Sequence, residues 1–312
     1  MEDALKHIKP EFLHEFGSLD FIAKSIVEGF MSGMHKSPYQ GFSVEFSEHR
    51  IYNPGDSMRH IDWKRFAKTD KLYIKKYEAD TNLECRFILD GSASMFFPIQ
   101  KQWSIEQPNK YLFSTYAIAS LIQLLRKQRD ASGLSILGEA LDYHSETKNT
   151  EAHQYKLFKA LEDQLVDFDI KKPKGTQFPD LFQELTIPIK KRSVFIVFSD
   201  LIFDQESDYQ KFYDTLEFLK DQGHEVLIFH CLDHKTELDF NFQDEAIELH
   251  ALEQKSTVQL SKSDVQTAYQ NKAKQWVDEL KTSILERNCS YIPIDTNNDL
   301  GDVLLAYLST RT

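Results

Sequence analysis

The strongest constraint on the fold is an alternation of two kinds of segment that begins near residue 83 and continues to the end of the chain. Short apolar runs typical of buried strands alternate with longer stretches that place apolar residues at helical spacing. The strand-like runs are, in order, ECRFILD, GLSILG, ALDYHSE, SVFIVFSD, EVLIFHCLD and CSYIPIDT. Strands joined by helical crossovers form parallel sheets. The sequence therefore predicts a doubly wound α/β domain over residues 83–312, with a mostly parallel sheet.

Two of these runs lie too close together for a helical crossover. Only Gly138 and Glu139 lie between the apolar part of GLSILG and the start of ALDYHSE, a spacing typical of hairpins. We therefore expect one antiparallel edge strand in the sheet. Two further short segments, DEAIELHAL and STVQLS, are interpreted as a meander outside the main alternation.

Residues 1–82 do not follow this alternation. The stretch SLDFIAKSIVEGFMSGM has the spacing of an amphipathic helix, while GFSVEFSEHRIY and KLYIKKYEAD alternate like strands. No glycine- or serine-rich linker separates this region from the first core strand. We therefore expect a helical arm and a small β-rich extension, residues 1–82, that pack on the α/β domain.

Charge and composition narrow the function classes. The chain has 37 basic and 49 acidic residues, a formal charge of −12, which argues against nonspecific binding to nucleic acid or anionic lipid. Its three cysteines lie in or beside strand-like runs, as expected for reduced core residues. No stretch approaches the roughly 20 apolar residues that span a bilayer. We expect a cytoplasmic protein without a membrane span, whose oligomeric state the sequence leaves open.

Polar side chains follow two of the most apolar runs. Asp90 ends ECRFILD and is followed by Ser92 and Ser94, while Asp200 ends SVFIVFSD. Thr176 lies between them in the chain, in a loop and directly after a glycine. In open α/β sheets, ligands bind beyond the carboxyl ends of the strands, where the strand order reverses. If the two strands are neighbours, these side chains face one crevice.

Two carboxylates and three hydroxyls form an all-oxygen set. Such a set suits Mg²⁺ or Mn²⁺, which prefer octahedral oxygen coordination at about 2.0–2.1 Å, with Ca²⁺ as a further candidate. It lacks the histidine and cysteine ligands expected of zinc or copper. With few direct charges, the ion would keep a position open for a partner's carboxylate. In the competing interpretation, these residues only form turns and cap helices.

The segment DGSASM resembles the Asp-x-Ser-x-Ser motif of the metal-ion-dependent adhesion site in von Willebrand factor A domains. Thr176 and Asp200 stand where that family supplies a second-loop threonine and a third-loop aspartate. The resemblance implies a von Willebrand factor A-like fold. It also implies a metal site formed by Asp90, Ser92, Ser94, Thr176 and Asp200.

A second resemblance lies upstream, in RIYNPGDSMRHIDW. This segment is similar to the signature of the bacterial domain-of-unknown-function-58 family, R-x-Y-x-x-G-D-x-x-R-x-I-D-W, which runs into an A-type domain. The matching residues are Arg50, Tyr52, Gly55, Asp56, Arg59, Ile61, Asp62 and Trp63. The family implies work with MoxR-type AAA+ ATPases in chaperone-like or metal-insertion assemblies, and no defined reaction.

Two interpretations of this signature stay open. In the first, Arg59 or Arg65 pairs with Asp62 or Asp56, and Trp63 anchors the extension on the α/β domain. In the second, the combination of tryptophan and arginine, which is typical of binding hot spots, contacts an acidic partner.

The observations together favour a metal-dependent protein-interaction module without catalytic residues. A metal-free scaffold of the same fold is the first alternative. A hydrolase or phosphatase using Asp90 is the second. It is disfavoured because a haloacid-dehalogenase-type motif needs a second aspartate where Ser92 stands, and no G-x-S-x-G or Walker A sequence is present.

Overall fold

A computed structural model of the chain describes residues 19–34, 49–51, 73–75, 83–99, 107–167, 177–189, 191–242, 244–250 and 257–310. The helices are α1 (Leu19–Met34), α2 (Lys110–Lys127), α3 (Glu151–Asp167), α4 (Phe178–Thr186), α5 (Glu206–Asp221), α6 (Lys262–Glu286) and α7 (Leu300–Ser309). The strands are β1 (His49–Ile51), β2 (Tyr73–Lys75), β3 (Glu84–Asp90), β4 (Ala131–Leu137), β5 (Leu141–His144), β6 (Ser193–Ser199), β7 (Glu225–Leu232), β8 (Ala246–His250), β9 (Thr257–Ser261) and β10 (Ser290–Asp295).

Six strands form one sheet in the order β10-β7-β6-β3-β4-β5. Neighbouring strands are parallel, except that β5 runs antiparallel to β4 at the edge. From β3 the chain moves outward to β4 and β5, then returns to β6 and moves to β7 and β10 on the other side. The strand order therefore reverses between β3 and β6. The predicted α/β fold class, a mostly parallel, doubly wound sheet with one antiparallel edge strand, is confirmed.

The sheet is covered by helices on both faces. In β3, Phe87 and Leu89 pack into one layer with helices α1, α2, α3 and α7. Ile88 points to the other layer, formed with α4, α5 and α6. This alternation follows from the pleat of the strand, which turns successive side chains to opposite faces. Both faces are buried, which explains the near-continuous apolar runs of the sequence.

Helix α1 belongs to the core of the α/β domain. Its buried side chains, including Ile22, Ala23 and Val27, lie in the same apolar cluster as those of α2. The start of the helix is fixed by a hydrogen bond from the Leu19 amide to Glu162 Oε1 of α3, at 2.8 Å. The helical arm predicted from the sequence therefore packs directly on the domain.

Two small antiparallel pairs lie outside the main sheet. β1 pairs with β2, placing Arg50 opposite Ile74, within the region predicted to be β-rich. β8 pairs with β9 in register from Ala246–Ser261 to His250–Thr257, so the predicted meander is a two-stranded hairpin. Among the described helices, none combines the length and apolar character needed to cross a membrane.

Candidate functional site

The point where the strand order reverses carries two carboxylates. β3 and β6 are hydrogen-bonded neighbours, with Leu89 opposite Phe198. Asp90 is the last residue of β3, and Asp200 directly follows β6. Both are buried, with exposed fractions of 2% and 0%. The strand ends therefore place the two carboxylates on either side of one crevice, which we call the switch point.

Asp90 is held from two elements. Its Oδ1 accepts a hydrogen bond from the Ser92 amide at 2.9 Å, and its Oδ2 accepts one from the Ser199 hydroxyl at 2.5 Å. Burial, followed by repulsion from Asp200, raises the pKa of Asp90 to about 7. The hydrogen bonds from Ser199 and Ser92 act in the opposite direction. The crevice therefore disfavours the ionised form of Asp90. A nearby cation would stabilise that ionised form.

The two serines after Asp90 bring their hydroxyls together. Ser92 Oγ and Ser94 Oγ are 3.0 Å apart, with Ser92 buried and Ser94 half-buried. Ser92 precedes a short 3₁₀ turn, Ala93–Phe96, but its side chain makes no capping hydrogen bond to that turn. For Ser92, the helix-capping interpretation is therefore not what the structure shows.

Asp200 is fixed by three contacts. Its Oδ1 accepts from the Ile202 amide at 3.3 Å, and its Oδ2 accepts from Lys110 Nζ at 2.7 Å. Its main-chain carbonyl accepts from His230 Nε2 at 2.8 Å. The carbonyl can only accept, so Nδ1 of His230 accepts in turn from the Tyr291 hydroxyl at 2.6 Å. Burial lowers the pKa of His230 to about 4, which keeps this ring neutral.

The residue after Asp200 has a strained backbone. Leu201 has φ of +52° and a fully buried side chain. A left-handed conformation at a bulky residue costs of order 1–3 kcal/mol and persists only where the surrounding structure enforces it. Such strain clusters at functional sites. Its position next to Asp200 supports a functional interpretation of the switch point.

Two charged residues of the switch point were not singled out from the sequence. Lys110, the first residue of α2, is fully buried and donates to Asp200 and also to Glu237 Oε1, at 2.5 Å. Glu237 lies in a π-helical turn, His234–Leu238, that follows β7. Burial alone would lower the pKa of Lys110, but the carboxylates of Asp200 and Glu237 outweigh it and hold the pKa above its usual range.

A sequence clue to Lys110 does exist. It is a cation in the first turn of an otherwise apolar helix, where the helix dipole disfavours positive charge. The position is explained by its acidic partners, Asp200 directly after β6 and Glu237 in the turn after β7. Glu237 offers no comparable clue, because a π-helical turn has no sequence signature in this chain.

The buried charges of the switch point do not balance. Asp90 and Asp200 supply two buried carboxylates, Glu237 supplies a half-buried one, and the buried Lys110 supplies one ammonium. When all are ionised, two negative charges are left over, and burial opposes that state by raising the pKa of both Asp90 and Glu237. Buried charges are costly unless they are paired or bind a metal. A single divalent cation matches this excess.

The donor set fits a hard divalent cation such as Mg²⁺. Carboxylate and hydroxyl oxygens converge, and neither sulfur nor imidazole is needed. Within the described ranges, no three side chains of histidine, cysteine, aspartate or glutamate come together as a metal-binding group. A cation here would therefore depend on the hydroxyls of Ser92 and Ser94, on water and on an external ligand. The assignment of these residues as metal ligands stays a prediction.

The remaining predicted site residues are placed only in part. Thr176 lies outside the described residues and directly precedes Gln177, the residue before α4. Of the upstream signature, Arg50 lies in β1. The other signature residues lie outside the described part of the chain: Tyr52, Gly55, Asp56, Arg59, Ile61, Asp62 and Trp63.

Comparison with protein families gives one match. The model described as "Protein of unknown function DUF58" matches residues 48–278. This range includes the upstream signature, the six-stranded sheet up to β7, and most of α6.

Curated relatives match over a shorter stretch. The uncharacterized protein Rv1480 of Mycobacterium tuberculosis is 32% identical over 88 residues, which is 28% of this chain and 28% of that protein. The uncharacterized protein Mb1516 of Mycobacterium bovis matches to the same extent. The match thus spans little more than a quarter of the relatives' length.

Solved structures resemble the chain at low sequence identity. The conserved hypothetical protein BatB from Bacteroides thetaiotaomicron is 11% identical, with a TM-score of 0.45 over 73% of this chain and 98% of that one. The SpRpn10 VWA domain is also 11% identical, with a TM-score of 0.39 over 71% of this chain and 93% of that one. The strand order of the chain by itself defines a mostly parallel, doubly wound sheet.

Proposed function

The chain belongs to the DUF58 family, and from that premise we propose that it is a metal-dependent protein-interaction module which binds a partner's carboxylate at the switch point. The observation that carries this proposal is the pair of buried strand-end carboxylates, Asp90 and Asp200, beside two hydroxyls that lie 3.0 Å apart. A von Willebrand factor A-like fold is consistent with a role in protein interaction. The metal and the partner are the parts that experiments must establish.

In this proposal each residue has a defined role. Asp90 and Asp200 supply negative charge from neighbouring strand ends, while Ser92 and Ser94 supply neutral oxygens. Thr176 joins them on the strength of the sequence resemblance alone. When bound, Mg²⁺ would supply a positive position that a partner's carboxylate can fill. Ile202 lies two residues after Asp200 and is 41% exposed. It would give the same partner an apolar contact.

The proposal includes no reaction. Lys110 is the amine of the switch point, and its raised pKa keeps it protonated, so it is a poor nucleophile. The Ser92 hydroxyl contacts the Ser94 hydroxyl. It is also hydrogen-bonded to Asp90, which accepts from the Ser92 amide and the Ser199 hydroxyl as well, and the proposal assigns that carboxylate to the metal and not to a general-base role.

The partner that we propose is a MoxR-type AAA+ ATPase in the bacterial cytoplasm, because the family resemblance implies this class of protein. Mixing the purified chain with a purified MoxR-type ATPase, in Mg²⁺ and in EDTA, tests it directly. Complex formation that needs Mg²⁺ and is lost in Asp90→Asn supports the proposal. Equal binding in EDTA would show that the metal is not part of the interface.

Metal binding itself is tested by isothermal titration with Mg²⁺, Mn²⁺ and Ca²⁺. The wild-type chain is expected to bind one ion, and Asp90→Asn to lose binding by about tenfold or more, since a charged ligand is removed. Asp214→Asn, on the exposed face of α5, is the matched control and is expected to bind like wild type. Absence of binding in the wild type would contradict the proposal.

A metal-free scaffold is the second candidate, and one observation favours it. Asp200 Oδ2 already binds the ammonium of Lys110, so an internal cation occupies part of the switch point. On this view the chain needs no metal to hold the crevice together. A wild-type chain that binds its partner in EDTA, and shows no heat of metal binding, would establish this alternative.

A further inference from the structure

A groove of about 560 Å³ runs beside the switch point. Ser94 and Glu237 are among its lining residues, so the groove borders the candidate metal site. Phe97, Phe240 and Tyr269 form apolar walls, and β8 forms another. A segment of a partner bound at the switch point would pass directly into this groove.

The aromatic wall is rigidly built. Phe240 is buried with φ of +51°, its ring lies 4.6 Å from that of Tyr269, and it meets Phe242 edge-on at 5.0 Å. The Tyr269 hydroxyl donates to the Glu237 carbonyl at 2.9 Å, which ties α6 to the turn that holds Glu237. The wall is therefore formed before any partner arrives, which lowers the entropic cost of binding.

β8 presents an edge to the groove. Four consecutive residues of the strand, 246–249, line it, although successive side chains point to opposite faces. This lining is expected where the side of a strand, and not one of its faces, lies along a groove. Within the described part of the chain, β9 is the one strand that pairs with β8, on its other side.

The register shows which main-chain groups point toward the groove. The Lys262 amide donates to the Glu245 carbonyl at 2.8 Å, so these two residues form a hydrogen-bonded pair of the antiparallel ladder. Hydrogen-bonded and non-hydrogen-bonded pairs alternate along such a ladder. The N–H and C=O of Ala246, one residue on, therefore point away from β9 and toward the groove.

The charged side chains that line the groove are acidic, although Glu237 is already paired with Lys110. Glu237, Asp244 and Glu248 line it, and among the described residues no lysine or arginine does. Asp244 and Glu248 are exposed, whereas Ile247 is buried on the opposite face of β8. A strand added to this edge would place alternate side chains against the apolar wall and against the acidic rim.

We propose that the groove binds an extended segment of the partner as an added strand on β8, with apolar residues alternating with lysine or arginine. Main-chain hydrogen bonds to the strand edge would give affinity, and the alternating side chains would give specificity. The proposal deepens the proposed function, because it names the chemistry of the segment that follows the partner's carboxylate. Binding of the segment to β8 does not need the metal. The groove and the metal site are therefore tested in separate experiments.

The test uses fluorescence anisotropy with the whole chain in EDTA. The probe is a labelled peptide of about ten residues in which valine alternates with lysine, and its matched control replaces each lysine with glutamate. We expect the lysine peptide to bind at least about tenfold more tightly than the glutamate peptide, because the rim is acidic. Asp244→Lys is expected to reduce that preference.

Two proline variants test the strand edge. Ala246→Pro removes the N–H that points into the groove, and we expect it to weaken binding of the lysine peptide by about tenfold or more. Gln259→Pro is the matched control, because by the same alternation its N–H lies on the outer edge of β9. It is expected to bind like wild type, and circular dichroism checks that both variants fold.

Three outcomes would overturn the proposal. The first is equal binding of the two peptides, and the second is equal binding by Ala246→Pro and wild type. The third is a wild-type chain that binds neither peptide but forms a dimer, with Ala246→Pro disrupting that dimer. The groove would then be occupied by a second copy of the chain. Failure of Mg²⁺ binding, by contrast, would contradict only the metal part of the proposed function.

Discussion

At the switch point a single ammonium group holds together carboxylates from two other elements. Lys110 binds Asp200 and Glu237 while fully buried. Lys110→Met is expected to leave both carboxylates without their cation and to lower the free energy of unfolding in EDTA by about 3–5 kcal/mol. Urea denaturation measures this loss, and added Mg²⁺ is expected to recover part of it if the site binds the ion.

Lys127→Met, at the exposed end of the same helix, is the control for that experiment. We expect it to change stability by no more than about 0.5 kcal/mol. A Lys110→Met variant as stable as its control in EDTA would show that the ion pairs do not hold the crevice together.

His224 gives the fold a sensitivity to acid. The Ser193 amide donates to its Nδ1 at 3.1 Å, so Nε2 carries the hydrogen that is donated to the Ile189 carbonyl at 3.3 Å. Burial, with Arg86 acting in the same direction, lowers the pKa of His224 below its ordinary value of 6.5. The unfolded chain therefore takes up a proton near that pH before the folded chain does. Stability is expected to fall as the pH drops below 6.5.

The test compares unfolding free energies of wild type and His224→Asn between about pH 7.5 and pH 5.5. The asparagine keeps an acceptor for the Ser193 amide but does not titrate, so this variant is expected to lose less stability over the range. Equal losses in the two proteins would assign the acid sensitivity to other groups.

The residues of the candidate site were predictable where strand ends decide their place. Asp90 and Asp200 follow strongly apolar runs, and sheet topology alone brings such positions together. Lys110 was not predicted, because apolar spacing locates a helix but does not show where a long side chain in its first turn will reach. Glu237 was missed for a related reason, since its turn is formed by local hydrogen bonds to Asp233, and these do not show that the Glu237 side chain reaches Lys110.

At the scale of elements, α2 ends in a conformation that its sequence does not favour. Arg129, just beyond the end of the helix, has φ of +63°, where glycine is the usual residue. Arg129→Gly is expected to raise the free energy of unfolding by about 1 kcal/mol, because a side chain in the left-handed region is strained. Urea denaturation measures the gain.

The neighbouring residue provides the control for this change. Gln128 has φ of −83°, where glycine brings no relief of strain. Gln128→Gly is expected to destabilise the chain by about 0.5–1 kcal/mol through the added freedom of the unfolded state. Equal losses of stability in the two glycine variants would show that the left-handed conformation of Arg129 is not strained.

Elements were predictable from the sequence to different degrees. The six strands of the sheet and the hairpin of β4 and β5 followed from apolar runs and from the short connection between them. For β8 and β9 the sequence predicted only a meander and not their pairing, because both strands are short and lack a strongly apolar pattern. Their position beside the switch point depends on tertiary packing with α6.

At the scale of the whole molecule, α1 and the α/β domain share one core. Ile22 is 2% exposed within that core, whereas Phe21, the preceding residue, is 56% exposed. Ile22→Ala is expected to destabilise the chain by about 2–5 kcal/mol, through lost burial and the cavity left behind. Phe21→Ala, the control, is expected to change stability by about 0.5 kcal/mol or less.

Circular dichroism and near-ultraviolet absorbance during urea denaturation check this prediction. Because the core is shared, both probes are expected to report one transition in wild type and in Ile22→Ala. A separate early transition would mean that α1 unfolds independently of the sheet.

The contact between Lys110 and Glu237 joins the candidate metal site to the groove beside β8. A cationic segment in the groove that pairs with Glu237 would leave Lys110 bound to Asp200 only. The net charge of the crevice, and therefore its affinity for a cation, would then change. Thermodynamic reciprocity then requires the cation to change the affinity of that segment by the same factor. The buried ammonium of Lys110 would thus couple cation binding at the switch point to segment binding in the groove.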